Sequence, residues 1–251
     1  MMENLSFMIY KNLILDIGNS RIKLLLNNQF IYFDYNDDYL DQLERLTNNW
    51  DISIRIIYSS VNHKVELEIL NLMHQKKISA VNVKEMLSLQ DLIDINGIKG
   101  AGSDRILGLI GAAEKNIDSF TTIDFGTATT INFVLNNKFI GGSILPGANT
   151  MLRSLGNISS KLHLVELQDW DNSIGNTTQL AVNSGIFLAT IGGVNLALNK
   201  AESIDIRLTN KIFITGGLAT KFLGKLNNKY EINHKPNLVI DGMQKLINRY
   251  L

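Results

Sequence analysis

The chain has 251 residues, 45% hydrophobic and 19% charged, a composition that excludes a disordered or low-complexity polymer and supplies apolar surface for two halves around a cleft. Lys plus Arg and Asp plus Glu number 24 each, so no global charge draws the protein to nucleic acid or to an anionic membrane. Cysteine is absent, which rules out disulfides, thiol nucleophiles and cysteine zinc sites and fits a reducing, cytoplasmic location.

Met1 to Lys11 carry no basic stretch, sustained apolar run or small-residue cleavage site, so secretion is not expected. From Asn12 the pattern predicts three strands, Leu13 to Asp16, Arg21 to Leu26 and Phe30 to Tyr35, with Asn27-Asn28 as hairpin chemistry. A polar helix over Asp38 to Asn48, a β-branched strand over Ile52 to Ser59, a helix over Val65 to Lys76 and a strand over Ile78 to Val83 follow. The glycine-bearing segment Gln90 to Gly102 breaks periodicity before a helix over Asp104 to Lys115. The pattern then restarts, with strands over Phe120 to Asp124, Thr130 to Leu135 and Phe139 to Ile144 and a second Asn-Asn pair at 136 and 137. Helices are expected over Asn149 to Leu155, Thr178 to Ala201 and Leu218 to Leu226, strands over Lys211 to Thr215 and Leu238 to Ile240, and a short helix at the end of the chain. The apolar stretch Gly185 to Leu198 falls short of the ~20 residues of a membrane span and reads as a core helix. The restart places the boundary between halves near Asn116 to Ser119, giving 1–118 and 119–251.

Two turns match. Leu15-Asp16-Ile17-Gly18-Asn19-Ser20 and Ile123-Asp124-Phe125-Gly126-Thr127-Ala128 each deliver a carboxylate, a glycine and small polar residues between apolar runs. Glycine at such a bend lets backbone N–H groups converge on an anion, and hydroxyls add donors. Either turn alone is more simply a satisfied hairpin; the pair suggests two halves facing one phosphate ligand. Carboxylates beside phosphates imply an intervening cation, Mg²⁺ or a monovalent ion. At Gly102-Ser103-Asp104-Arg105, Asp104 reads either as a helix cap or as a general base, and Arg105 as a solvated residue or a clamp on a carboxylate or phosphoryl group. Gly141 to Gly147 and Thr215-Gly216-Gly217 are expected to expose backbone donors at helix N-termini, and Gly175 to Thr178 either does so or caps the following helix. No P-loop, dinucleotide fingerprint or nucleophile elbow is present, and His63, His74, His163 and His234 show no metal-ligand spacing.

Taken in order, Asp16-x-Gly18-Asn19-Ser20-x-x-Lys23, Gly102-Ser103-Asp104-Arg105, Asp124-x-Gly126-Thr127-Ala128-Thr129-Thr130, Gly141-Gly142-x-Ile144-x-Pro146-Gly147 and Thr215-Gly216-Gly217 resemble the type III pantothenate kinases. The resemblance implies an α/β fold of two duplicated ribonuclease H-like, actin-like ATPase domains. It implies transfer of the ATP γ-phosphoryl group to pantothenate in the first step of coenzyme A synthesis. By position, Asp16, Ile17, Gly18, Asn19, Ser20, Arg21, Ile22, Lys23 and Thr127 would contact ATP. Gly102, Ser103, Asp104, Arg105 and Thr178 would contact pantothenate, with Asp104 as catalytic base. Asp124 would hold a monovalent cation, K⁺ or NH₄⁺, alongside the Mg²⁺ that accompanies ATP. The family usually forms homodimers in which the partner completes the pantothenate site. Ile95 and Ile98 stand where the family commonly has a pocket tyrosine and a proline. A kinase for a different small acceptor and a non-catalytic regulatory protein on the same scaffold are the alternative readings.

Overall fold

The computed structural model describes residues 11–35, 38–48, 50, 54–159, 162, 165–170, 173–226 and 229–251. The first half contains β1 (Lys11–Ile17), β2 (Arg21–Leu26), β3 (Gln29–Asp34), α1 (Tyr39–Thr47), β4 (Ile54–Ser60), α2 (His63–Gln75), β5 (Ser79–Asn82), α3 (Lys84–Leu87) and α4 (Ser103–Ala112). The second contains β6 (Phe120–Phe125), β7 (Ala128–Leu135), β8 (Lys138–Pro146), α5 (Ala148–Ile158), α6 (Thr178–Ile204), α7 (Arg207–Asn210), β9 (Ile212–Thr215), α8 (Ala219–Leu223), β10 (Ile232–His234) and α9 (Leu238–Tyr250).

The two sheets repeat one topology. Their strand orders are β3-β2-β1-β4-β5 and β8-β7-β6-β9-β10, antiparallel across the opening hairpins and parallel beyond β1 and β6. Both opening meanders turn at an Asn-Asn pair with left-handed backbone: φ is 50° and 62° at Asn27 and Asn28, and 53° and 56° at Asn136 and Asn137. That is the geometry a two-residue hairpin requires and asparagine tolerates.

Period-two alternation then decides what faces what. In β1, Leu13, Leu15 and Ile17 enter the core under α1 and α2, whereas Ile14 enters a central core shared by both sheets, α4 and α9. Asp16 follows Ile14 by two and lies on the same central face. In β6, Ile123 and Phe125 enter the core beneath α6 and α8, whereas Phe120 enters the central one, which puts Asp124 on the central face too. Each strand thus ends by aiming a carboxylate between the sheets.

α4 and α9 occupy equivalent places in the two halves and cross each other in the central layer. A Cβ on Gly111 would collide with the Leu238 carbonyl and lie 3.1 Å from the Gly242 nitrogen; one on Gly242 would collide with the Leu107 carbonyl and lie 3.1 Å from the Gly111 nitrogen. The backbones touch only because both residues are glycine. Lys245 of α9 donates to the carbonyls of Ile110 (3.1 Å), Gly111 (2.8 Å) and Ala113 (2.5 Å), neutralising the C-terminal end of α4.

The segment expected as a strand over Leu238 to Ile240 is instead the first turn of α9; Leu238, Ile240, Met243, Leu246 and Ile247 are all buried along it. A short apolar triplet fits either period, and the strand of this region lies earlier, at β10. Gly141 to Pro146 lie within β8 and Gly147 takes the cap position of α5, so the segment joins strand to helix as expected, and Thr177 caps α6 by accepting from Leu180 N–H at 3.3 Å. The helix after β9 is shorter than expected, ending at Leu223. α6 is long and apolar enough to cross a membrane by length and composition, yet Ile186, Phe187, Val194 and Leu198 sit in the second core. His63, His74 and His234 are exposed; His163, Ile52 and the first ten residues lie outside the described residues.

The glycine crossing yields a prediction opposite to helix propensity. Alanine is the better helix former by ~1 kcal/mol. Gly242→Ala is nevertheless expected to lower unfolding stability by ~2–4 kcal/mol, measured by denaturant titration, because its methyl meets backbone that cannot rotate away.

Candidate active site

The cleft between the sheets encloses about 270 Å³ and is lined by Asp16, Gly18, Asn19, Ser20, Arg21 and Lys23 from the first turn and strand. The second half contributes Asp124, Gly126, Thr127, Thr130, Thr215, Gly216 and Gly217, and α4 contributes Asp104. The matching turns therefore face a common space, as their repetition suggested.

Register shows how the copies have diverged. Asp16 lies opposite Lys23 on β2 and Ser59 on β4; Asp124 lies opposite Thr130 on β7 and Thr215 on β9. The first copy carries a cation where the second carries a hydroxyl. Each turn is closed by its own glycine, Gly18 N–H donating to Arg21 O (3.0 Å) and Gly126 N–H to Ala128 O (3.1 Å). Between the turns, the Ser20 and Thr127 hydroxyls share a hydrogen bond of 2.8 Å across the cleft. Tyr35 donates to Gly18 O at 2.5 Å, and Thr150 of α5 donates to Thr127 O at 2.6 Å, so each turn is braced from behind. Gly216, at φ 98°, is required as glycine, since a Cβ there would strike the Asp124 carboxylate and lie 2.6 Å from Phe125 backbone.

Burial pushes Asp16 and Asp124 up to about 6 from an ordinary 3.8; Lys23 opposes the rise, and the charge of Asp104 adds to it. Such mutual repulsion favours a cation in the cleft. Among the described residues no three His, Cys, Asp or Glu side chains gather closely enough to cage a metal.

Asp104 is not the cap of α4. Gly102 takes the cap position, and Asp104 stands in the first turn, where the helix dipole favours its negative charge. One carboxylate oxygen accepts from Arg105 N–H at 2.8 Å, and a Cβ on Gly102 would displace it from that position. Ser103 is buried and bonded to Ser59 at 3.3 Å, bracing α4 against β4. Arg105, only partly buried, lines with Thr122 and Asn132 a small polar chamber of about 20 Å³ behind the cleft, room for one water. Asp104, Asp124, Thr130, Thr215 and Val239 form the wall shared by chamber and cleft.

Several expected contacts fall elsewhere. Ile17 and Ile22 are core residues whose side chains do not line the cleft, whereas Arg21 lines it and also reaches Asp34 at 3.8 Å. Gly102 and Ser103 support Asp104 without lining the cleft. Thr178 heads α6 and lines a separate apolar groove of about 680 Å³ with Pro146, Met151, Leu155 and Val182. Asn149 and Arg153, one turn apart on α5, line the cleft; their i, i+4 spacing puts them on one helix face, and nothing local in the sequence says that this face meets the cleft.

The family model for type III pantothenate kinase matches residues 12–200. The chain belongs to this family. It is 32% identical over 171 residues to a type III pantothenate kinase of Pelagibacter ubique, 67% of each chain. Among solved structures it resembles a Campylobacter jejuni protein described as a Baf family transcriptional activator, at TM-score 0.63 and 24% identity, covering 94% of this chain and 98% of that one. An archaeal actin homologue matches at TM-score 0.50 and 10% identity over 96% and 99% of the two chains, which identifies the fold as actin-like.

Where family members commonly carry a tyrosine and a proline, Ile95 and Ile98 pack against the central core. Their loop is stitched to the second sheet through Asp94 N–H to Asn137 O (2.7 Å) and Phe139 N–H to Asp94 O (2.8 Å). Neither isoleucine lines the cleft.

The raised carboxylates set a pH dependence. The folded pKa of about 6 exceeds the unfolded 3.8, so the folded state binds more protons between these values and its stability falls as pH climbs through them. Asp124→Asn is therefore expected to raise the melting temperature of the ligand-free protein at pH 7.5, by ~1–2 kcal/mol in stability, and to give no gain at pH 4. Thermal melts of both proteins across that range check it.

Proposed function

We propose that the protein transfers the γ-phosphoryl group of ATP to the hydroxyl of pantothenate, with Asp104 as general base. Family membership supports the reaction, and the position of Asp104, a carboxylate from outside the two matching turns that faces the cleft between them, supports its role. In this reading the turn from Asp16 to Lys23 and the hydroxyl of Thr127 hold the nucleotide phosphates. The Asp104 carboxylate takes the proton as the acceptor oxygen bonds to the γ-phosphorus; the bond from that phosphorus to the bridging oxygen breaks, and ADP leaves. Phosphoryl transfer needs mainly positioning and charge stabilisation, which backbone donors, Lys23 and hydroxyls can supply.

Asp16 and Asp124, buried and repelling one another, suit a cation-binding role. With no protein cage, Mg²⁺ would enter on the phosphates and be faced by Asp16, while Asp124 and neighbouring threonine hydroxyls would hold K⁺ or NH₄⁺. These ions neutralise phosphate charge when bound.

A homodimer fits the exposed apolar face of α6, on which Leu188 is 57% and Leu196 70% exposed. Thr178 heads the same helix and does not meet Asp104 within one chain, so a partner's α6 would be the route by which it reaches substrate.

Asp104→Asn is expected to cut turnover by ~10²–10⁴-fold while leaving ATP binding and melting temperature unchanged. The check is a coupled kinase assay with pantothenate, Mg²⁺ and K⁺, beside nucleotide titration. Wild-type protein that releases no ADP with pantothenate, but does with another small acid or polyol, would keep the ATP site and overturn the acceptor; nucleotide binding with no turnover on any acceptor would favour the regulatory reading.

A further inference from the structure

Asn132 has no part in the turns or in the motif around Asp104, yet it is only 2% exposed, on the face of β7 that also sends Val134 into the central core. Burying an amide is costly unless its donors and acceptor are used. Here they are: Asn132 Oδ1 accepts from Arg105 Nε at 2.7 Å, and Asn132 Nδ2 donates to the buried Thr122 hydroxyl at 3.2 Å. Thr122, Asn132 and Arg105 thus form a chain running from β6 through β7 to the first turn of α4. It crosses from the second half to the first beside Asp104.

The chain fixes the guanidinium rather than neutralising it. Asn132 is uncharged, so Arg105 keeps its full positive charge, and the Phe139 ring, 5.5 Å from the guanidinium carbon, supports one face without competing for hydrogen bonds. With Nε occupied by Asn132, the two terminal nitrogens have no hydrogen-bond partner among the described residues. A planar guanidinium held by its inner nitrogen presents its outer fork, which matches a carboxylate bidentately. Were Nε free as well, the same side chain could bind from its edge in a second orientation.

We propose that Asn132 is a positioning residue that holds Arg105 by Nε so that its terminal fork grips the carboxylate of the acceptor end-on. This rests on the reading of Arg105 as the contact for pantothenate's acid group. It adds that the orientation is imposed from the second half, through a residue that touches neither substrate.

The test is steady-state kinetics of the full-length protein with separate Michaelis constants for the two substrates. Asn132→Leu is expected to raise KM for pantothenate roughly tenfold, the equivalent of one lost orienting hydrogen bond, with KM for ATP unchanged. Asn132→Asp keeps an oxygen acceptor for Nε but sets a negative charge against the guanidinium and loses the donor to Thr122, so it should also raise KM for pantothenate with KM for ATP unchanged. Should Asn132→Leu fail to fold, Thr122→Val removes the hydroxyl that fixes the amide and should shift the same constant in the same direction by a smaller factor. If the folded Leu or Val variant leaves KM for pantothenate unchanged while Arg105→Lys raises it, the role of Asn132 is overturned and that of Arg105 stands. If Arg105→Lys also leaves it unchanged, the acceptor contact itself is wrong. Equal rises in both constants with a lowered melting temperature would mark Asn132 as a structural tie only and overturn the inference.

Discussion

The molecule depends on one close approach, the crossing of α4 and α9 at Gly111 and Gly242. Two sheets that each offer an apolar face must share a central layer, and two helices of ordinary side-chain bulk would hold those sheets apart. Glycine at both crossing points lets backbone touch backbone. The sheets then converge enough for their last inward residues, Asp16 and Asp124, to feel each other's charge. Lys245 fixes the end of α4 at the same crossing, so the helix that carries Asp104 is anchored at its far end by the second half. At its near end it is anchored by Ser59 on one side and Asn132 on the other.

The chemistry of the cleft follows from that convergence. A strand's alternation can aim a carboxylate inward at no cost only where water reaches it. Here two such strands share a narrow space, and burial and repulsion push both acids up to about 6. Lys23 relieves this in part. The ligand-free protein therefore stores an electrostatic penalty at neutral pH that a bound cation would release, so that any cation binding there would raise stability. Catalytic sites are where such penalties are commonly tolerated. The second turn is kept in shape by packing: Phe125 stacks on Phe222 at 4.8 Å, and Phe222 lies 4.9 Å from Phe187, joining β6, α8 and α6 beneath the bend.

Much of this was legible in the chain because it is carried by short-range rules. The Asn-Asn hairpins, the strand–turn–strand pairs and the facing of Asp16 and Asp124 all follow from turn chemistry and period two. The start of α9 was misread as a strand because Leu238-Val239-Ile240 is too short to separate one period from the other. Within the segment Asp16 to Lys23, alternation sends Ile17 and Ile22 into the core, whereas Arg21 stays on the cleft wall and also reaches Asp34. Arg153 and Asn132 were invisible for a different reason. Their meaning lies in long-range placement, Arg153 across a cleft and Asn132 against a residue 27 positions away, and no local pattern encodes either.

The central claim is that the cleft between the matching turns brings one acceptor hydroxyl to Asp104. A crystal structure with Mg²⁺, K⁺, a non-hydrolysable ATP analogue and pantothenate measures this directly. The account predicts phosphates seated between the Gly18 and Gly126 turns and the pantothenate hydroxyl ~2.6–3.2 Å from the Asp104 carboxylate, within proton-transfer reach. Phosphates bound elsewhere, or a hydroxyl facing away from Asp104 with another base beside it, would contradict it.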